Sequence, residues 1–252
     1  MQRNAIIITV FAVLICSCTA FGSGLGAGYG LAYWLEDSNT IEEAASTVES
    51  ESDDTTSSST PTAYEPEQPV SAGALLFEDD FTTENWDVYS DNDHDKGYDD
   101  DQYFILVNVE EYTFWSVGDN NYDDYILEID TEQLGGSDDN DYGVILRFQD
   151  DANFYSFEIS GDGFYTFTKY VDNDIFDIIP WQESSVIRQG DSKNSLRVEV
   201  VGSEFTFYIN DELVDSAIDS EFETGQIGLV AGTYTESGTR IAFDNLRVWA
   251  VE

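Results

Sequence analysis

Residues 142–171 read YGVILRFQDDANFYSFEISGDGFYTFTKYV. Val144, Leu146 and Phe148 alternate with Ile145 and Arg147, and the polar run Asp150-Asp151-Ala152-Asn153 then breaks the pattern. From Phe154 to Ser160 the alternation resumes, with Tyr155, Phe157 and Ile159 on one side and Ser156 and Glu158 on the other. Gly161-Asp162-Gly163 supplies the positive φ that a tight hairpin needs, and Phe164 to Tyr170 is β-branched and aromatic. A period of two places alternate residues on opposite faces of a strand. The stretch therefore predicts three consecutive antiparallel strands with one dry face and one polar, aromatic face. That second face is a candidate ligand platform.

Outward from the meander the same grammar repeats. Short alternating runs lie at Gln102–Asn108, Tyr112–Val117, Tyr125–Asp130, Asn194–Val201, Glu204–Ile209, Gln226–Gly232 and Arg240–Val251. Ile175–Trp181 is short and apolar, and no helical period appears after residue 74. Many short strands separated by turn residues specify an all-β sandwich with one two-sheet core over residues 74–252. A domain of that size buries about 70 % of its chain surface, enough for one core.

The N-terminal third differs. Residues 5–35 carry no charge, follow Arg3 and end at Tyr33-Trp34 before Glu36-Asp37. This length spans a hydrocarbon core of about 30 Å, and the charge asymmetry points the C-terminus outward. Residues 1–35 are thus read as one transmembrane helix, a single-pass anchor to the cell membrane with the remainder extracellular. Two alternatives stand beside it: a lipoprotein signal with Cys18 lipidated, and a cleaved secretory signal near Ala20. Residues 36–73 are rich in Ser, Thr, Asp, Glu and Pro with no Lys or Arg, and read as a disordered acidic stalk.

The chain has 9 Lys and Arg against 52 Asp and Glu, a formal net charge of −43. Phosphate backbones need clustered cations, so nucleic acid is excluded as a partner. The only cysteines are Cys16 and Cys18, which leaves residues 74–252 without a disulfide, a thiolate metal site or a cysteine nucleophile. His94 is the only histidine and falls in the polar run SDNDHDKGYDDD, read as a loop with His94 exposed.

Two segments resemble a known group. Residues 194–214, NSLRVEVVGSEFTFYINDELV, and residues 225–251, GQIGLVAGTYTESGTRIAFDNLRVWAV, resemble strands of concanavalin A-like jelly rolls. They are most similar to the laminin G-like and 3-keto-disaccharide hydrolase-type branches. The resemblance implies two antiparallel sheets with a concave face and a carbohydrate ligand. Glu128-Ile129-Asp130-Thr131-Glu132 also resembles the E-x-D-x-E signature of laminarinases and lichenases. Carried over, Glu128 is the nucleophile and Glu132 the acid/base of retaining hydrolysis, with Asp130 between them. A solvated strand face is the alternative.

Ligand-binding candidates come from the meander's polar face and from one aromatic: Arg147, Glu158, Tyr165, Lys169 and Trp181. Arg147 and Glu158 are candidates for a cross-strand ion pair as well as for fixing sugar hydroxyls. Trp181 fits either a stacking residue or a core plug. Asp91, Asp93 and Asp95 form an oxygen-rich loop that suits calcium, as does the run Ser137–Asp141. Calcium is the only cofactor in question. The function expected is a membrane-anchored extracellular module that binds a carbohydrate or cell-surface ligand without catalysis. A glycoside hydrolase acting on a disaccharide or glucan, and a passive structural or adhesion module, are the alternatives.

Overall fold

A computed structural model describes residues 70–252. The expected anchor and nearly all of the expected stalk lie outside the described residues. The described chain is all-β, with no helix. Its strands are β1 (Ala72–Asp79), β2 (Tyr89–Ser90), β3 (His94–Asp99), β4 (Gln102–Val107), β5 (Thr113–Tyr122), β6 (Tyr125–Gly135), β7 (Asp141–Asp150) and β8 (Asn153–Ser160). They continue as β9 (Phe164–Val171), β10 (Asp174–Glu183), β11 (Lys193–Val201), β12 (Glu204–Ile209), β13 (Glu212–Ile218), β14 (Gly225–Gly232) and β15 (Thr239–Val251).

Two antiparallel sheets result. One runs β13-β12-β11-β6-β15-β4-β3-β2, with β1 paired to the far half of β15; the other runs β10-β9-β8-β7-β14-β5. First and last strands pair along Ala72–Asp79 and Leu246–Val251. The meander of residues 142–171 forms β7, β8 and β9, in the middle of the six-stranded sheet. Its inward side chains, Tyr155, Phe157 and Phe167, meet Phe205 and Phe207 of the other sheet. The Phe157–Phe207 and Phe167–Phe205 centroids are 4.5 Å and 5.0 Å apart. Aromatic pairs at such distances contribute about 0.5–1.5 kcal/mol beyond the area they bury.

The polar run SDNDHDKGYDDD is a strand pair rather than a loop: β2 pairs with β3, and β3 with β4. The expectation of an exposed His94 is overturned. It is buried, stacked on Phe114 at 3.8 Å and on Tyr89 at 4.7 Å, and burial holds its pKa below the ordinary value. Flat ring faces sought aromatic cover, which residue-by-residue polarity does not reveal.

One irregularity reorganises the meander. Between Leu146 and Asp150 the pairing of β7 with β8 slips, and Arg147 sits at φ 50°. Tyr142, Val144 and Leu146 face the core, but beyond the bulge Arg147 also turns inward while Phe148 emerges on the outer face. Among the described residues, the buried guanidinium meets no carboxylate. It donates to the carbonyls of Phe222 (2.8 Å), Gly202 (2.6 Å) and Asp123 (3.2 Å), and lies 5.2 Å from the Phe205 ring centre. Three connections are thereby tied to β7. Unmade hydrogen bonds at buried carbonyls cost about 1–3 kcal/mol each. Arg147→Met is therefore expected to lower unfolding free energy by about 3 kcal/mol, measured as a shift of the urea midpoint with unchanged slope.

Candidate functional site

The outer face of the six-stranded sheet is built by the residues that alternate with the core. From β8 these are Phe154, Ser156 and Glu158, and from β9 Thr166, Thr168 and Tyr170. From β7 they are Asp141 and Ile145, and from β5 Thr113 and Trp115. A groove of 270 Å³ opens on this face, with Asp141, Glu158, Tyr170, Trp181 and Tyr234 in its lining. A shallower hollow of 380 Å³ continues from Trp181 and Tyr234 towards Ser160.

Asp141 and Glu158 are its chemical centre. In the ladder Gly143 faces Glu158 and Asp141 faces Ser160, so the two carboxyls are diagonal neighbours on one face. Glu158 is 5 % exposed and accepts a hydrogen bond from Ser156 Oγ. Among the described residues, no Lys or Arg lines the groove. Burial raises both carboxyls above the usual carboxylate range, and the charge of Asp141 raises Glu158 further. Asp141 Oδ1 is out of solvent and has no hydrogen-bond partner. The Tyr234 hydroxyl donates to Asp141 and accepts from Trp181, and burial followed by the two carboxyl charges raises its own pKa. The site thus sets two carboxyls, both raised by burial, beside an exposed Trp–Tyr pair that is hydrogen-bonded to Asp141.

Local structure explains the placement. Asp141 approaches β14 so closely that a Cβ on Gly232 would lie 2.0 Å from Asp141 Oδ1, and one on Gly143 would meet the Phe157 carbonyl at 2.1 Å. Only glycine admits these contacts. Tyr234 rides on a connection held by the buried Asn140, whose Oδ1 accepts the Tyr234 N–H at 2.9 Å, and by Thr233 Oγ1, which donates to the Val109 carbonyl at 2.6 Å.

Of the residues singled out in the sequence, Glu158 and Trp181 lie in this groove. Arg147, Tyr165 and Lys169 point the other way, so Arg147 and Glu158 form no ion pair. Tyr165 is buried between the sheets with its hydroxyl 3.2 Å from Asp215, and Lys169 binds Asp219 at 2.7 Å. Glu128, Asp130 and Glu132 do share a face, but it is the outer face of the nine-stranded sheet, across the sandwich from the groove. Arg197 lies directly opposite Glu128 in the ladder and pairs with it at 2.6 Å, while Asp130 accepts from Asn245 at 3.0 Å. Asp91 receives the backbone N–H groups of Asp93 and His94, and Asp95 receives Ser90 and Asn108. Among the described residues no group of three or more His, Cys, Asp or Glu is gathered as a metal site. In the run Ser137–Asp141, Asn140 and Asp141 serve the groove. Sequence reasoning missed Tyr170 and Tyr234, and it grouped Asp141 with a calcium loop rather than with Glu158. Asp141 and Tyr170 share the outward parity of Glu158 in the meander, whereas Tyr234 is brought in from a distant connection.

The profile of a family described as the 3-keto-alpha-glucoside-1,2-lyase-like domain matches residues 74–249. No curated protein matches the chain. Among solved structures, a galectin-like protein of unknown function from Bacillus subtilis is 11 % identical with a TM-score of 0.55, covering 72 % of this chain and 98 % of that one. LamA from Z. galactanivorans, in complex with laminaritriose and laminaritetraose, is 11 % identical with a TM-score of 0.51, covering 71 % of this chain and 100 % of the other. Carbohydrate binding module CBM66 from Bacillus subtilis is 22 % identical with a TM-score of 0.46, covering 67 % and 94 %. At these identities the likeness concerns the fold.

The raised Glu158 pKa fixes the sign of a pH effect. Above the ordinary glutamate pKa the unfolded chain has lost a proton that the folded state retains, so stability falls as pH rises through neutrality. Glu158→Gln removes that loss. The variant is expected to gain about 2 kcal/mol on the parent between about pH 5 and about pH 9, read from paired unfolding curves. A gap that does not change with pH contradicts the assignment.

Proposed function

Because the chain belongs to the 3-keto-alpha-glucoside-1,2-lyase-like domain family, we propose that the outer groove of the six-stranded sheet binds carbohydrate. The observation that carries this reading is the uncountered pair Asp141 and Glu158 set beside the exposed rings of Trp181 and Tyr234. Carboxyl oxygens accept from sugar hydroxyls, and aromatic faces stack on the apolar face of a pyranose. The absence of cations from the lining favours a neutral sugar over an acidic one. The fold shared with a protein solved in complex with glucan oligosaccharides supports the same class of ligand. The uncharged run of residues 5–35 and the acidic residues 36–73 favour a domain tethered outside the cytoplasm and open to surface glycans.

A second reading adds chemistry to the same groove, and the displaced pKa values favour it. A pair of carboxyls pushed apart in acidity is what general acid–base catalysis requires. Glu158, raised by burial and by the charge of Asp141, is placed to donate to a departing glycosidic oxygen, with Asp141 beside it to accept a proton. Both hydrolysis and elimination of a glycoside need that division of labour.

Titration calorimetry of the full chain with a neutral disaccharide tests the first reading. Tyr234→Ala is expected to weaken binding at least about ten-fold, and no heat from the parent at millimolar sugar overturns the proposal. Product release from the same sugars tests the second. Glu158→Gln is expected to retain binding and lose about 10²–10⁴-fold in turnover, and binding without any turnover by the parent overturns catalysis alone.

A further inference from the structure

The six-stranded sheet carries a second hollow at its other edge. A cleft of 680 Å³ opens beside β5, between the connection after β1 and the outer ends of β5 and β7. Trp86, Trp115 and Phe148 contribute rings to its lining, the two indoles largely buried and Phe148 half-buried, and Asp87, Asp119 and Asp151 give it acceptors. Lys96 is the single cation in the lining, and it is already committed. Its ammonium lies 2.6 Å from Asp87 and donates to the Trp115 carbonyl at 2.8 Å. Asp151 Oδ1 is out of solvent with no hydrogen-bond partner. An acceptor of this kind, lining a cleft of that size, marks a place for a ligand donor.

Groove and cleft are joined by rings. Phe154 stacks on Tyr170 at 4.2 Å, lies 5.8 Å from Phe148 and 5.5 Å from Trp115. Phe154 is covered, but the half-buried rings at the two ends open in opposite directions, Tyr170 into the groove and Phe148 into the cleft. We infer that the cleft is a second sugar subsite and that groove and cleft together take a neutral oligosaccharide chain. This rests on the carbohydrate reading of the groove. The lining sets the class. Three carboxylates against one neutralised ammonium repel uronates, sulfates and phosphates, whereas hydroxyls donate to carboxylates and pyranose faces stack on indoles.

The tryptophans make the test local. Trp86 and Trp115 line the cleft, Trp181 lines the groove, and Trp249 of β15 lies on the opposite sheet. Indole N–H signals of the ¹⁵N-labelled full chain are followed during titration with laminari-oligosaccharides from the disaccharide to the hexasaccharide. The expected result is that the disaccharide moves Trp181, that the hexasaccharide also moves Trp86 and Trp115, and that Trp249 stays still. The hexasaccharide is expected to bind at least about ten-fold tighter than the disaccharide. Asp151→Ala, or Asn120→Ala at an exposed residue of the cleft lining, is expected to remove that ten-fold gain and the Trp86 and Trp115 shifts while leaving the Trp181 shift. Movement of Trp181 alone at every chain length overturns the cleft and leaves the groove reading standing. Movement of Trp86 and Trp115 alone overturns the groove reading and the continuous track. Stillness of all three overturns both.

Discussion

The bulge at Arg147 is the constraint on which both faces of the meander depend. A left-handed residue in mid-strand reverses the parity of everything that follows it in β7. The reversal places a full positive charge at the end of the core, where three carbonyls from separate connections receive it. Such a conformation costs about 1–3 kcal/mol and persists where the surroundings over-determine it. The carbonyl set and the Phe205 ring are those surroundings. The same reversal delivers Phe148 to the outer face, where it closes the aromatic row that links groove and cleft.

Electrostatics divides the molecule as firmly as the pleat does. Every Lys and Arg among the described residues is engaged elsewhere than in the groove. Lys169 is held by Asp219, Arg197 by Glu128 and the buried Glu199, Arg240 by Asp99 and Arg247 by Glu78. Arg188 is spent on the Lys193 carbonyl, and Lys193 lies between Asp130 and Asp244. With cations this scarce in a chain of net charge −43, carboxyls in the groove have no counter-ion to draw on. Protonation is the remaining way to lower the cost of burying them, since a desolvated carboxylate near another is strongly disfavoured. The raised pKa values of Asp141 and Glu158 follow from the composition of the whole chain as much as from their own neighbours.

The fold was legible because alternation is local. Tyr155, Phe157 and Ile159 against Ser156 and Glu158 assign both faces of β8 without any knowledge of what covers them, and turn glycines bound the strands. The site was legible only where it shared that alternation. Parity identifies Glu158, whereas polarity alone groups Lys169 and Tyr165 with it although their own strand sends them inward. Arg147 was misplaced by a bulge that no residue type in RFQDD announces. Tyr234 and the close approach at Gly232 arise from strands far apart in sequence, whereas the close approach at Gly143 lies within the β7–β8 hairpin and no residue type there declares it. His94 shows the same limit from the other side: its neighbours are acidic, yet its contacts are rings.

The two outer faces make an instructive contrast, because both carry rows of carboxylates. On the nine-stranded sheet Glu128 faces Arg197 across the ladder, Asp130 sits near Lys193, and the buried Glu199 is bound by Arg197, Tyr208 and the Val70 N–H. Those carboxylates have their charge met within the fold, which ties strands together and leaves little to offer a ligand. In the groove of the six-stranded sheet the cations are withdrawn and the partners are a serine, a tyrosine and another acid. A motif match such as Glu-Ile-Asp-Thr-Glu reports only that carboxylates share a face. What separates a scaffold face from one with carboxyls left over is whether the chain also supplies the opposite charge there, and in a sequence this poor in Lys and Arg the position of each cation marks where carboxylates are already met.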